Sequence, residues 1–87
     1  MELTVYGPLR SATGGKRVEL EADGTVEDVL EALFAEFPRA ESHLLDEEGT
    51  LRPSVRVVQG GESLDLDDAC SPDTPLKVFP AMRGGEV

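Results

Sequence analysis

The sequence predicts an α+β domain of two layers, a small sheet covered on one face by a single amphipathic helix. Three observations carry that prediction. Short runs at both ends of the chain alternate apolar and polar residues, ELTVY at 2–6 and LKVFP at 76–80. Between them, the segment at 25–37 repeats its apolar residues at helical spacing. Glycine or proline punctuates the junctions, as at Gly7-Pro8, Gly14-Gly15, Pro38 and Gly60-Gly61. One such helix can cover only one face of a sheet, so the other face is left for solvent or a partner.

In the first run, Leu3 and Val5 share one face, with Thr4 and Tyr6 on the other. Gly7-Pro8 ends it, and Leu9 is a core anchor in the connection that follows. KRVELEA alternates again, Val18 and Leu20 inward and Arg17, Glu19 and Glu21 outward. Two such runs joined by a short connection suggest an antiparallel pair.

TVEDVLEALFAEF places Val26, Val29, Leu30, Leu33, Phe34 and Phe37 on one helical stripe. Thr25 is a natural N-cap and Asp28 completes a box-like pattern. Glu27 and Asp28 suit the positive end of the helix dipole. Pro38 stops the helix.

The segment at 39–52 is less regular, with Leu44, Leu45 and Leu51 available to cover a core edge. SVRVVQ reads as a strand with Val55 and Val57 inward and Arg56 and Val58 outward. Gly60-Gly61 is a hairpin signal, ESLDL a short continuation, DDACSPDT a loop and LKVFP the last strand. The chain therefore divides into a domain at 1–80 and a tail at 81–87 that ends AMRGGEV. A flexible tail is the expectation for such a composition.

Composition narrows the function classes. Eighty-seven residues allow one domain. Eighteen acids against eight bases give a net charge of −10, which phosphate backbones would repel, so nucleic acid is not an expected partner. Acid excess with two lysines against six arginines suits a halophilic setting, where salt screens the repulsion. An acidic protein of ordinary salinity is the alternative. The net charge also favours a basic docking surface on any partner. No run approaches a membrane span and no secretory signal is visible. One cysteine, Cys70, permits no internal disulfide. A cytoplasmic location is the simplest expectation, with the protein a monomer when free.

VYGPLRSATGG, GTVEDVLEALFAEFP, VRVVQGGE and LKVFPAMRGG cover nearly the whole chain in order. With these stretches and the terminal double glycine, the chain resembles the ubiquitin-like β-grasp proteins. It is most similar to their sulfur-carrier branch, which includes the small subunit of molybdopterin synthase, the thiamine-pathway sulfur carrier and the archaeal small modifier proteins. Its acidity resembles the haloarchaeal members. The resemblance implies a mixed four- to five-stranded sheet with one main helix packed across one face.

It also implies a function. The protein would be a carrier or modifier acted on by enzymes, not an enzyme itself. An E1-like enzyme would use ATP and magnesium to adenylate a C-terminal glycine carboxylate. Sulfur attack would then give a thiocarboxylate for molybdopterin, thiamine or tRNA thiolation pathways. Attack by a lysine would give a conjugate. The matching glycines are Gly84 and Gly85, whose lack of a Cβ lets them thread a narrow channel. Seven residues, Ala81 to Val87, reach about 23 Å when extended.

The chain departs from the family ending because Glu86 and Val87 follow Gly85. Removal of this dipeptide by a JAMM-type metalloprotease is the expectation. The alternative is a β-grasp binding module that is not activated. Other implied partners are the molybdopterin synthase large subunit or lysine-bearing target proteins. The carrier itself would hold no metal or cofactor.

Strand parity sends Tyr6, Val58 and Phe79 to the open sheet face as a docking patch. For Phe79 a core edge is the alternative. Pro80, Met82 and Arg83 would join the partner contacts, Arg83 by pairing with a carboxylate. Lys16 and Lys77 are the available acceptors for self-conjugation. His43 stands alone and reads as structural. Cys70 reads as a spectator thiol in a polar loop. The acids of DLDD and DEEG match no calcium loop and read as solvated. The glycine pairs at 14–15 and 60–61 lack nucleotide-loop context and read as turns.

Overall fold

The computed structural model describes residues 1–80. Strand β1 (Glu2–Val5) and strand β2 (Arg17–Glu19) pair antiparallel, with Leu3 opposite Val18 and Thr4 opposite Arg17. The alternation of the two runs buries Leu3, Val5, Val18 and Leu20 and leaves Arg17 and Glu19 exposed.

Their connection is not simply a loop. It holds a short helix α1 (Leu9–Thr13), which the sequence reading did not assign. Pro8 supplies a preset φ of −63° at its start, and Gly14 ends it in the left-handed region at φ 82°. Leu9 and Thr13, one helical turn apart, are both buried, and the Thr13 hydroxyl can donate to the Leu9 carbonyl at 3.0 Å. Two inward residues are too few to show a period.

The main helix, α2 (Val26–Glu36), follows the two-residue strand β3 (Gly24–Thr25). Thr25 caps it as expected. Its hydroxyl accepts from the Asp28 N–H at 3.2 Å, and Asp28 Oδ2 accepts from the Thr25 N–H at 3.1 Å. The Val26 and Glu27 N–H groups, which lack partners inside the helix, donate to the carbonyls of Asp68 and Leu66, each at 2.9 Å. Val26, Val29, Leu30 and Leu33 are buried, while Phe34 and Phe37 pack at the margin of the same stripe. The capping residue is Phe37, and Pro38 starts a further short helix, α3 (Arg39–Leu44). Within α3 Ala40 and Leu44 are buried, again one turn apart. Leu45 and Leu51 then form an isolated bridge beside the core.

Strand β4 (Arg56–Gln59) turns at Gly60-Gly61 into β5 (Glu62–Ser63). Both glycines have positive φ, 60° and 84°, as the tight hairpin demands. Strand β6 (Ala69–Cys70) pairs with β3, so part of the segment read as loop is a strand. Strand β7 (Leu76–Phe79) completes the fold.

The main sheet has the order β2-β1-β7-β4-β5, with β7 parallel to β1 and antiparallel to β4. The first and last strands thus lie side by side at its centre. Parallel neighbours need a crossover, and the helical segment between them supplies it. Leu3, Val5, Val57, Leu76 and Val78 line the inner face, all fully buried. The five-stranded mixed sheet with one main helix is the expected β-grasp architecture, to which α1 and α3 are additions.

Candidate functional site

Strand β7 sets the geometry of the open face. Its period of two buries Leu76 and Val78 and turns Lys77 and Phe79 outward. On one side, β1 puts Thr4 in register with Lys77 and Val5 with Val78, so Tyr6 follows beside Phe79. On the other side, β4 places Arg56 opposite Phe79 and Val58 opposite Lys77. Tyr6, Val58 and Phe79 are all half-buried and lie on this face, as strand parity predicts. Phe79 is not a core-edge residue.

Tyr6 and Phe79 stack with ring centroids 4.3 Å apart and planes within 8°. Stacking shields one face of each ring, which explains their partial burial. The Arg10 guanidinium lies 5.8 Å from the Tyr6 ring centroid, and its Nε donates to the Val5 carbonyl at 3.4 Å. Helix α1, absent from the sequence reading, is what carries Arg10 to this position. Arg56, exposed beside Phe79, was readable from parity as outward but not as part of the site.

Charged side chains surround the apolar centre of this face. Four bases, Arg10, Arg17, Arg56 and Lys77, stand on or beside it. The acids Glu2 and Glu19 sit at the far end of the sheet from the Tyr6–Phe79 stack. There Arg17 Nε lies 3.8 Å from Glu2 Oε2, and the terminal amine lies 3.4 Å from Glu19 Oε2. Arg10, Arg56 and Lys77 thus stand beside the aromatic pair, although the whole chain is acidic.

Pro80 is buried, so it does not present its side chain as the outward contact expected of it. Strand parity turns Pro80 to the inner side, with Val78. Met82, Arg83, Gly84, Gly85, Glu86 and Val87 lie outside the described residues. Both lysines are exposed, in different settings. Lys77 is on the central strand. Lys16 precedes edge strand β2, where its carbonyl accepts from the Val5 N–H at 2.8 Å.

Cys70 is also corrected. It is 8% exposed and packs in the core cluster rather than standing in a polar loop. Burial pushes its thiol up, and the charges of Asp28 and Asp68 push in the same direction. Such a thiol is a poor nucleophile at neutral pH, in keeping with a spectator. His43 is half-buried on α3 and joins no cluster of metal-ligating side chains among the described residues.

Asp65, Asp67 and Asp68 bring carboxylate oxygens within 4.8 Å of one another, all exposed. Asp68 Oδ2 accepts from the Asp65 N–H at 2.7 Å, so it closes its own turn. Asp46 Oδ1 likewise accepts from the N–H groups of Glu48 and Thr50 at 2.9 and 3.0 Å. These acids shape loops.

The fold has counterparts among known proteins. The model of the ThiS family matches residues 3–85. Small archaeal modifier protein 1 of Haloferax volcanii is 32% identical over 87 residues, covering 98% of this chain and 100% of that protein. The crystal structure of SAMP1 from Haloferax volcanii superposes with a TM-score of 0.81 at 32% identity, covering 98% of each chain. The CysO chain of the Amycolatopsis orientalis BexX/CysO complex gives a TM-score of 0.82 at 25% identity, covering 97% and 98%.

Proposed function

The chain belongs to the ThiS family of ubiquitin-like carriers, and from that premise we propose that its working group is the carboxylate of Gly85, activated by an E1-like enzyme. It is a carrier or modifier, not a catalyst. The observation that carries the proposal is the apolar face formed around Tyr6 and Phe79, with Arg10, Arg56 and Lys77 beside it. Phe79 ends the central strand, and only Pro80 separates it from the segment that contains Gly84-Gly85. A partner seated on this face is therefore close to the start of the tail. From Pro80 to Gly85 the chain reaches about 17 Å when extended, enough to enter a catalytic channel.

The chemistry follows from the poor electrophilicity of a carboxylate. Its oxygen attacks the α-phosphorus of ATP, held with magnesium by the enzyme, and pyrophosphate leaves. A sulfur nucleophile then attacks the acyl carbon, and AMP leaves with the bonding electrons. The product is a thiocarboxylate. Attack by a lysine amine gives an isopeptide instead. This chain supplies the docking face, the reach and the unhindered glycine end. ATP and magnesium belong to the enzyme.

Glu86 and Val87 follow Gly85 in the sequence, so this reading includes their release by a JAMM-type protease. The same two residues favour a second reading, a β-grasp binding module that is never activated. Sulfur acceptors such as the large subunit of molybdopterin synthase, or lysines of target proteins, would be downstream partners. The acidic composition fits a saline cytoplasm. Among the described residues no helix is long and apolar enough to cross a membrane.

Mass spectrometry of the protein from its native host, with and without the gene of the E1-like enzyme, tests the reading. It predicts a mature form ending at Gly85 and thiocarboxylate or lysine-linked products that need the enzyme. A full-length protein with no ATP-dependent product would instead establish the binding module.

A further inference from the structure

We infer that Lys77 is a modification site that controls docking: a group attached to its amine closes the sheet face, while the same group on Lys16 leaves it open. This rests on the reading above, that the activating enzyme docks on this face.

The two lysines look equivalent in sequence and differ in the fold. Lys77 stands on the third of five strands, in register with Thr4 on one side and Val58 on the other. Side chains in register across strands lie about 5 Å apart, and Phe79, two residues along the same face, is about 7 Å away. Five strands at about 4.8 Å spacing make a face about 19 Å across, with Lys77 at its centre. A folded domain tethered there overlies Val58 and the Tyr6–Phe79 stack. Among the described residues, the ion pairs join Arg17 to Glu2 and the terminal amine to Glu19, so no carboxylate holds the Lys77 ammonium. Its amine is exposed and open to acylation.

Lys16 is exposed at the sheet edge, one residue before β2. Strand parity sets it opposite to Arg17, hence away from the open face. A group attached there projects from the rim.

The modifying reaction needs only the acyl adenylate of a second carrier. The deprotonated Lys77 amine attacks its acyl carbon, forming a C–N bond. The C–O bond to AMP breaks, AMP leaves with the electron pair, and the amine proton passes to solvent. The product cannot dock again, so linkage through Lys77 ends activation of that copy. Linkage through Lys16 leaves it competent for another round.

The test uses the full chain with Cys70→Ala, bearing either Lys77→Cys or Lys16→Cys, each labelled with a polyethylene glycol maleimide. Affinity for the E1-like enzyme of the same organism is measured before and after labelling. Label at 77 should weaken binding by more than an order of magnitude, and label at 16 by less than twofold. Lysine acetylation of the unsubstituted protein, followed by mass spectrometry, gives a second measure that needs no variant to fold. The enzyme should protect Lys77 and not Lys16. Equal effects at both positions, or equal protection, would overturn the inference. Tyr6→Asp separates the two failures. If it weakens binding while label at 77 does not, the inference falls and the docking reading stands. If neither weakens binding, both fall.

Discussion

Tyr6 and Phe79 are seventy-three residues apart in the chain, yet their rings stack 4.3 Å apart on the open face of the sheet. The contact exists because the first and last strands are parallel neighbours, with Val5 in register with Val78. It ties the start of the chain to the residue that leads into the double-glycine segment. A disturbance of the aromatic pair therefore acts on both the central strands and the open face between them.

A double-mutant cycle on this pair should show coupling. Tyr6→Ala and Phe79→Ala should each lower stability, and the pair should lose about 0.5–1.5 kcal/mol less than the sum. Chemical denaturation of the four proteins measures this. Additive losses would mean that the stack contributes no energy of its own.

The basic surround of the stack should be felt in binding rather than in folding. Arg56→Glu should leave stability within about 0.5 kcal/mol, since Arg56 is exposed. It should weaken capture by the activating enzyme severalfold and flatten its salt dependence. Titrations at two ionic strengths check both features. Unchanged affinity would place the enzyme's acidic complement elsewhere.

The N-terminus of α2 should tolerate little change. Thr25→Ala removes half of the capping box and should cost about 1 kcal/mol. Gly24→Ala should be at least as damaging. Its φ is 108°, and a Cβ would lie 2.6 Å from Asp28 Oδ2, the other half of the box. Adding Asp28→Ala to Gly24→Ala relieves the contact but not the backbone strain. Thermal unfolding of these variants, with Asp28→Ala alone as the reference for the lost cap bond, separates the two contributions.

Cys70 should react slowly with thiol reagents in the folded protein. Its thiol is raised by burial first and by Asp28 and Asp68 second. The folded protein thus holds the thiol proton more tightly than the unfolded chain does. The resulting stabilisation is complete below the unfolded thiol's pKa and is lost as pH rises through the higher folded value. Stability measured in the alkaline range should fall less steeply in Cys70→Ala than in the parent. Reaction rates against pH, folded and unfolded, report the displacement directly.

Much of this protein was legible in its sequence because the signals were local. The helix stripe from Val26 to Phe37 and the Thr25–Asp28 cap need only neighbours along the chain. So do the Gly60-Gly61 turn and the inward parity of Leu3, Val5, Leu76 and Val78. The resemblance drew on the same segments in order. Helices α1 and α3 were not legible, because a single buried pair at one-turn spacing sets no period. The pairing of Gly24–Thr25 with Ala69–Cys70 was hidden for a similar reason, since two residues cannot alternate. That pairing, not anything in the composition around it, brings Cys70 into the core.

The sequence by itself determined the two-layer class, the capped helix, the outward parity of Tyr6, Val58 and Phe79, and the double glycine that follows the last strand. Those are properties of residue type and spacing. Only the tertiary structure decided that β1 and β7 lie side by side, that Arg10 reaches the Tyr6 ring, and that Lys77 stands centrally while Lys16 stands at the rim. It also decided that Arg10, Arg56 and Lys77 gather beside the Tyr6–Phe79 stack of an acidic chain. Net charge sums over all residues regardless of place, whereas docking depends on the few charges that strand order gathers on one surface.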